Sequence, residues 1–291
     1  MPIVQEGSED YDMTSLAKRL ILTFTSVPAL FSLIYFFPQH HHLGFALLTV
    51  WAVFVGSKEI RGLLFQGDDA PLIPYWLTAL LPAIQYVELI WFPRKPLFYL
   101  ALVVLFSYGF AREVFIGQKD AFAGTIDRIS RTVFLIIYPG FFSIFLIRVL
   151  MFEHATFLLL MLFLLVFGND TFAYVFGMWL GKTNRNIFAV SPNKSLAGFI
   201  GGLVSTILIS VAWVLLIPSM KTLFSPFEAI FIGLIISIIS NIGDLIESAL
   251  KRGAQVKDSG TIIMGRGGIM DSIDSLLMSA PFFMIRMQLF I

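Results

Sequence analysis

The sequence predicts an all-α, polytopic membrane protein with about nine transmembrane helices and a cytoplasmic N-terminus. Three observations lead there. Only 13% of the 291 residues are charged, roughly half the share of a soluble domain. Mean hydropathy is +0.85, with 31 Phe in the chain. Apolar runs of about 20 residues, the length that crosses a hydrocarbon core, recur from end to end. The same composition excludes other classes. A net charge of +1 leaves no basic footprint, so no nucleic-acid partner is expected. The absence of Cys rules out disulfides and thiolate metal sites.

Taken in order, residues 1–12, MPIVQEGSEDYD, are acidic and aperiodic and read as a disordered tail or a cloning scar. Met13 offers a second start, followed by Lys18, Arg19 and an apolar run too long for a signal-peptide core. That run, 19–37, is taken as the first span. Further spans are expected at 43–60, 72–92, 96–115, 132–150, 155–180, 197–217, 226–248 and 270–290, the last with Asp271 and Asp274 at its start. Positive charge sets the orientation. With the N-terminus inside, 15 of the 20 Lys and Arg fall on the inner side, leaving only Arg94, Lys95, Arg148, Lys221 and Arg286 outside. This predicts an inner-membrane protein with cytoplasmic loops at 181–196 and 249–270. The polar connection 112–131 is read as the seam between an N-terminal bundle, 13–131, and a catalytic region, 132–291. The tract His40–His42 is expected in a solvated outer loop, with metal binding as the alternative.

Polar residues at membrane depth are functional candidates, and three places carry them. In GNDTFAYVFGMWLGK (168–182), Asp170, Tyr174 and Gly177 share one helix face; the competing reading makes Asp170 the N-cap of an interfacial helix break. In GKTNRNIFAVSPNKSLAGFIGG (181–202), glycines and polar residues suit a loop whose backbone N–H groups surround phosphate, with Lys182 and Lys194 as point charges. The competing reading is a basic loop that only obeys the positive-inside rule.

The third place is NIGDLIESALKRGAQVKDSGTIIMGRGGIMDSID (241–274). Asp244 and Lys251 lie two helical turns apart, Glu247 and Lys251 can pair, and Asp271 and Asp274 share one face of the next helix. Asp244, Asp271 and Asp274 form an oxygen-donor set suited to Mg²⁺. The glycines between allow backbone to approach an anion, and Arg252, Lys257 and Arg266 complement phosphate charge. Together these features suit metal-assisted phosphoryl or nucleotidyl transfer. The competing reading is a set of ion pairs that only fixes helix register.

These residues also carry a family likeness. S-x-x-K-R-x4-K-D-x-G followed by G-x-G-G-x-x-D-x-x-D, at Ser248, Lys251, Arg252, Lys257, Asp258, Gly260, Gly265, Gly267, Gly268, Asp271 and Asp274, resembles the signature of the integral-membrane phosphatidate cytidylyltransferases. Upstream, GDLIES with Asp244, NDTFAYVFGMWLGK with Asp170, and SPNKSLAGFIGG with Ser191, Lys194 and Ser195 resemble further family segments. The likeness covers roughly 160–275. It departs at Arg266, where His is usual, at Ser272 for Arg, at Met264 for Pro, and at Ser195-Leu196-Ala197 for Thr-Trp-Glu.

The resemblance implies that CTP and phosphatidate give CDP-diacylglycerol and pyrophosphate. It implies Mg²⁺ (or Mn²⁺ in its place) on Asp271 and Asp274 with help from Asp244, and Lys251 orienting a carboxylate or neutralising phosphate. Lys182, Lys194, Arg252, Lys257 and Arg266 would cradle triphosphate or lipid phosphate. K⁺ is a candidate partner ion, because three aspartates exceed the charge of one Mg²⁺, and the Phe-rich spans suit a homodimer. The alternatives are a CTP-dependent polyprenol or phytol kinase and a secondary transporter. An aspartyl protease is disfavoured, because NDTF and NIGD match neither of its motifs.

Overall fold

The computed structural model describes residues 25–65, 70–263 and 267–290. Eleven α-helices account for most of them: α1 (Thr25–Phe36), α2 (Gln39–Leu64), α3 (Leu80–Trp91), α4 (Leu97–Ile116), α5 (Thr125–Leu135), α6 (Phe142–Arg148), α7 (Ala155–Leu180), α8 (Leu196–Leu216), α9 (Pro218–Leu223), α10 (Pro226–Gly253) and α11 (Met270–Phe290). The chain is an all-α integral membrane protein. Among the described residues, six helical runs are long and apolar enough to cross a bilayer: 39–64, 97–120, 125–151, 155–180, 196–216 and 226–253. Of the other three expected spans, 19–37 lies partly outside the described residues. The 72–92 segment divides into a 3₁₀ turn, Tyr75–Ala79, and the twelve-residue α3. The 270–290 segment is a 21-residue helix that carries Asp271, Asp274 and Arg286.

Local chemistry sets several boundaries. Ser225 and Glu228 form a reciprocal capping box at the start of α10, with Pro226 in its first turn. Ser195 caps α8 by accepting from Gly198 N at 3.1 Å. Between α5 and α6 the backbone widens into a π-helical stretch, Ile136–Phe141, around Pro139, whose ring cannot continue α-helical hydrogen bonding. The 112–131 segment, expected as a loop, is mostly helical. A short 3₁₀ turn links α4 to α5, and Arg128 of α5 bridges buried Glu113 of α4 and Asp120 of the turn, at 2.6 Å each. Both carboxylates satisfy one guanidinium.

The largest core mixes both halves of the chain: Ile34, Phe45 and Tyr86 pack in one cluster with Leu158, Ile232 and Phe283. Within it α7, α8, α10 and α11 lie against one another. The α7–α8 approach requires glycine: a Cβ at Gly198 would stand 2.6 Å from Ala173 O. His42 corrects another expectation. It is buried, and its Nε2 lies 3.2 Å from Thr156 Oγ1 of α7, so this part of the His tract belongs to the packed interior.

Candidate active site

At one end of the α7–α8–α10–α11 group lies a cleft of about 580 Å³. Four carboxylates line it: Asp170 from α7, Asp244 from α10, and Asp271 and Asp274 from α11. Arg185 and Lys194 reach it from the 181–195 loop. The polar segments read separately in the sequence therefore meet in one place. Asp170, Tyr174 and Gly177 all line the cleft, as their spacing predicts. α7 runs unbroken past Asp170, which removes the helix-break reading. Tyr174, Met178, Ile187, Phe188 and Phe199 also line it, so charged and apolar or aromatic surface share a cavity.

The charged groups are tightly organised. Lys251, 12% exposed, sits between Glu247 at 2.6 Å and Asp271 at 2.5 Å. The expected pair with Glu247 is present, and Asp271 completes it. Asp271 Oδ2 accepts from Ser259 N at 3.0 Å, Ser259 Oγ at 2.8 Å and Gly268 N at 2.7 Å. Gly267 makes this possible: its φ is +104°, and a Cβ there would meet Asp271 Oδ2 at 2.5 Å. The glycine-rich loop does bring backbone N–H groups to an anion, and that anion is the protein's own carboxylate. The 181–195 loop likewise pairs backbone groups internally, through Asn186 N to Pro192 O at 3.0 Å and Leu196 N to Asn184 O at 3.1 Å. In both loops several backbone N–H groups are thus taken up by the fold of the loop itself.

Asp244 pairs with Lys194 at 2.5 Å, joining α10 to the 181–195 loop. Asp274 is 5% exposed. Its Oδ1 accepts from Ser275 N, and among the described residues no Lys or Arg pairs with it. Also among the described residues, no three His, Asp or Glu side chains stand close enough to hold one ion. As donors, Asp244 and Asp274 still suit a hard cation, since both are oxygen ligands on one cleft and Asp274 lacks a countercharge among the described residues. Asp271 Oδ2 accepts from three donors and its Oδ1 faces Lys251, and these contacts hold the loop to α11.

Other expected site residues lie elsewhere. Lys182, Arg252, Lys257 and Asp258 are exposed and do not line the cleft. Arg252 turns to Val256 O at 3.2 Å, at the end of α10 where the chain leaves the bundle. Ser248 is buried within α10. Ser191 is half-buried in the 181–195 loop, where its carbonyl accepts from Lys194 N at 3.1 Å and so sets the lysine's backbone. Ser195 lines the cleft and caps α8. Gly268 is buried beside Asp271, and Arg266 lies outside the described residues.

Four contributors were not among the site residues expected from the sequence. Arg185 and Ser275 line the cleft. Asn241, one helical turn before Asp244, lines it too and donates to Asn169 Oδ1 at 3.4 Å. Buried Asn169 also accepts from Ser237 Oγ at 2.6 Å, tying α7 to α10 behind the carboxylates. Amides inside strongly apolar runs were the available signal for Asn169 and Asn241.

A model of the cytidylyltransferase family matches residues 17–290. A phosphatidate cytidylyltransferase of Staphylococcus haemolyticus (strain JCSC1435) is 38% identical over 119 residues, 41% of this chain and 44% of the relative. One from Synechocystis sp. (strain ATCC 27184 / PCC 6803 / Kazusa) is 40% identical over 121 residues, 41% of this chain and 39% of the relative. The uncharacterized protein YnbB of Escherichia coli (strain K12) is 32% identical over 175 residues, 59% of this chain and 56% of the relative. The chain thus spans about half the length, or less, of the curated relatives it matches. With a family match that runs from ahead of the first described helix to the end of α11, and a cleft built from the segments that carry the likeness, the chain belongs to the cytidylyltransferase family.

Proposed function

We propose that the protein transfers a cytidylyl group from CTP to phosphatidate, giving CDP-diacylglycerol and pyrophosphate, at the cytoplasmic face of the inner membrane. The observation that carries the reading is the composition of the cleft: carboxylates and basic side chains together with apolar and aromatic ones, between helices of an integral membrane protein. A nucleoside triphosphate needs the first and a diacyl lipid the second. The names of the Staphylococcus and Synechocystis relatives support the same substrates, and the excess of Lys and Arg on the inner side supports the location.

In this reading a phosphate oxygen of phosphatidate attacks the α-phosphorus of CTP, the bond to the bridging oxygen of the β-phosphate breaks, and pyrophosphate leaves. The nucleophile is already ionised at neutral pH, so no strong general base is required. Lys194 and Arg185 receive the phosphates, and Lys194 releases Asp244 as it does so. Asp244 and Asp274 would hold Mg²⁺, which supplies charge stabilisation to the departing pyrophosphate. Lys251 keeps Asp271 and its loop in register. Tyr174, Met178 and Phe199 give the acyl chains an apolar path toward the bilayer.

The test is pyrophosphate release from the purified protein in detergent, omitting phosphatidate, CTP or Mg²⁺ in turn. Release that needs all three supports the proposal. Release of CDP with a phosphorylated lipid alcohol would move the reading to a CTP-dependent lipid kinase, and no turnover of CTP with any lipid phosphate or lipid alcohol would refute nucleotidyl transfer.

A further inference from the structure

The cleft is lined by α7, α8, α10, α11 and the 181–195 loop, and among the described residues α1 to α6 contribute no lining residue. They reach the site through Glu59 of α2. This carboxylate is 7% exposed, and among the described residues no Lys or Arg pairs with it. Its charge is answered by the start of α11: Oε1 accepts from Ile269 N at 3.0 Å and Oε2 from Met270 N at 2.8 Å. The first N–H groups of a helix have no partner within it and carry partial positive charge. Ile269, immediately before α11, has no side-chain oxygen to cap with, so a residue 210 positions earlier does it.

The contact extends past the cap. Ser259 Oγ lies 3.4 Å from Glu59 Oε2 and 2.8 Å from Asp271 Oδ2, so one hydroxyl joins the two carboxylates. A Cβ at Gly260 or at Gly268 would come within 2.4 Å of Glu59 oxygens, so the loop closes on this carboxylate with no room for a side chain. Asp271 holds Ser259 and Gly268 from the other side. Any displacement of Glu59 therefore carries Asp271 with it, and Asp274 one turn further on. We propose that Glu59 is a positioning residue: an N-terminal-bundle carboxylate that caps α11 and sets the place of the two α11 aspartates that line the cleft. As a statement about catalysis it rests on the cytidylyl-transfer reading; as a statement about the loop it does not.

The experiment compares the full chain in detergent as wild type, Glu59→Gln, Glu59→Ala and, as a control on the same helix, exposed Lys58→Ala. Amide hydrogen exchange is followed in peptides covering 259–271 and, for comparison, in α7 and α8, alongside CTP turnover with phosphatidate. Loss of the cap should speed exchange in 259–271 by about tenfold or more and leave α7 and α8 unchanged. A displacement of about 1 Å costs roughly 10²-fold, so turnover at saturating substrate should fall by about that factor, with KM for CTP moving by less than about threefold. Glu59→Gln keeps the size and one acceptor, and should lie between wild type and Glu59→Ala. Unchanged exchange in both Glu59 variants overturns the proposal, and so does faster loop exchange with undiminished turnover. Loss of fold in both also overturns it, in favour of a general structural role. Should wild type prove inactive, the functional reading fails by itself, and loop exchange alone decides whether Glu59 holds the loop.

Discussion

Replacing Lys251 by Met removes one ammonium and strands two carboxylates of very different resilience. Lys251 is 12% exposed and Glu247 1% exposed, and the ion pair between them spans 2.6 Å. Asp271 would keep its three donors from Ser259 and Gly268, so its charge stays compensated. Glu247 would keep nothing comparable, because its Oε1 already lacks a hydrogen-bond partner. Breaking a buried pair by removing one member costs about 3–5 kcal/mol, and here nearly all of it falls on Glu247. At about 2–4 °C per kcal/mol, the melting temperature in detergent should drop by at least about 6 °C. Uptake of a proton by Glu247 sets the upper limit on that loss. The sharper measurement is therefore the double variant Lys251→Met with Glu247→Gln, in which the stranded charge is gone. It should recover about half of the lost stability or more, a coupling on the order of 1–3 kcal/mol. Thermal unfolding followed by intrinsic fluorescence reads both. If the single variant melts with wild type, or the double melts no higher than the single, Lys251 does not neutralise these carboxylates and the reasoning is refuted.

Two further changes should behave differently from each other. Asp274→Asn removes a buried carboxylate that no described cation balances; stability should hold or rise by up to about 1 kcal/mol, while turnover falls by about 10²-fold or more. Parallel melts and pyrophosphate assays would expose an error if activity survives or the fold weakens sharply. Gly198→Val forces a side chain against Ala173 O, where even a Cβ would sit at 2.6 Å. Overpacking of about 1–3 kcal/mol should follow, visible as a lower melting temperature and a displaced Ser195 cap.

Some of this was legible from residue order alone. Composition and run length determine an all-α membrane chain, because about 20 apolar residues in lipid must satisfy their backbone within a helix. Helical periodicity puts Asp170, Tyr174 and Gly177 on one face, pairs Glu247 with Lys251, and aligns Asp271 with Asp274, since all these separations are local. The basic residues show where locality ends. Lys182, Arg252, Lys257 and Lys194 look alike in sequence, and only the folding of the 181–195 loop brings Lys194 to Asp244 while the others stay in solvent. The glycine-rich loop advertises an anion without naming it, and the fold supplies Asp271 and Glu59. Glu59 itself reads as an ordinary charge near the end of an apolar run. Its partners are backbone N–H groups 210 positions away, which have no residue identity to detect. The helices and their charged faces are thus fixed by interactions within a few residues. The tertiary structure decided which charges meet, because contacts across the bundle depend on how helices pack and leave no periodic trace in the chain.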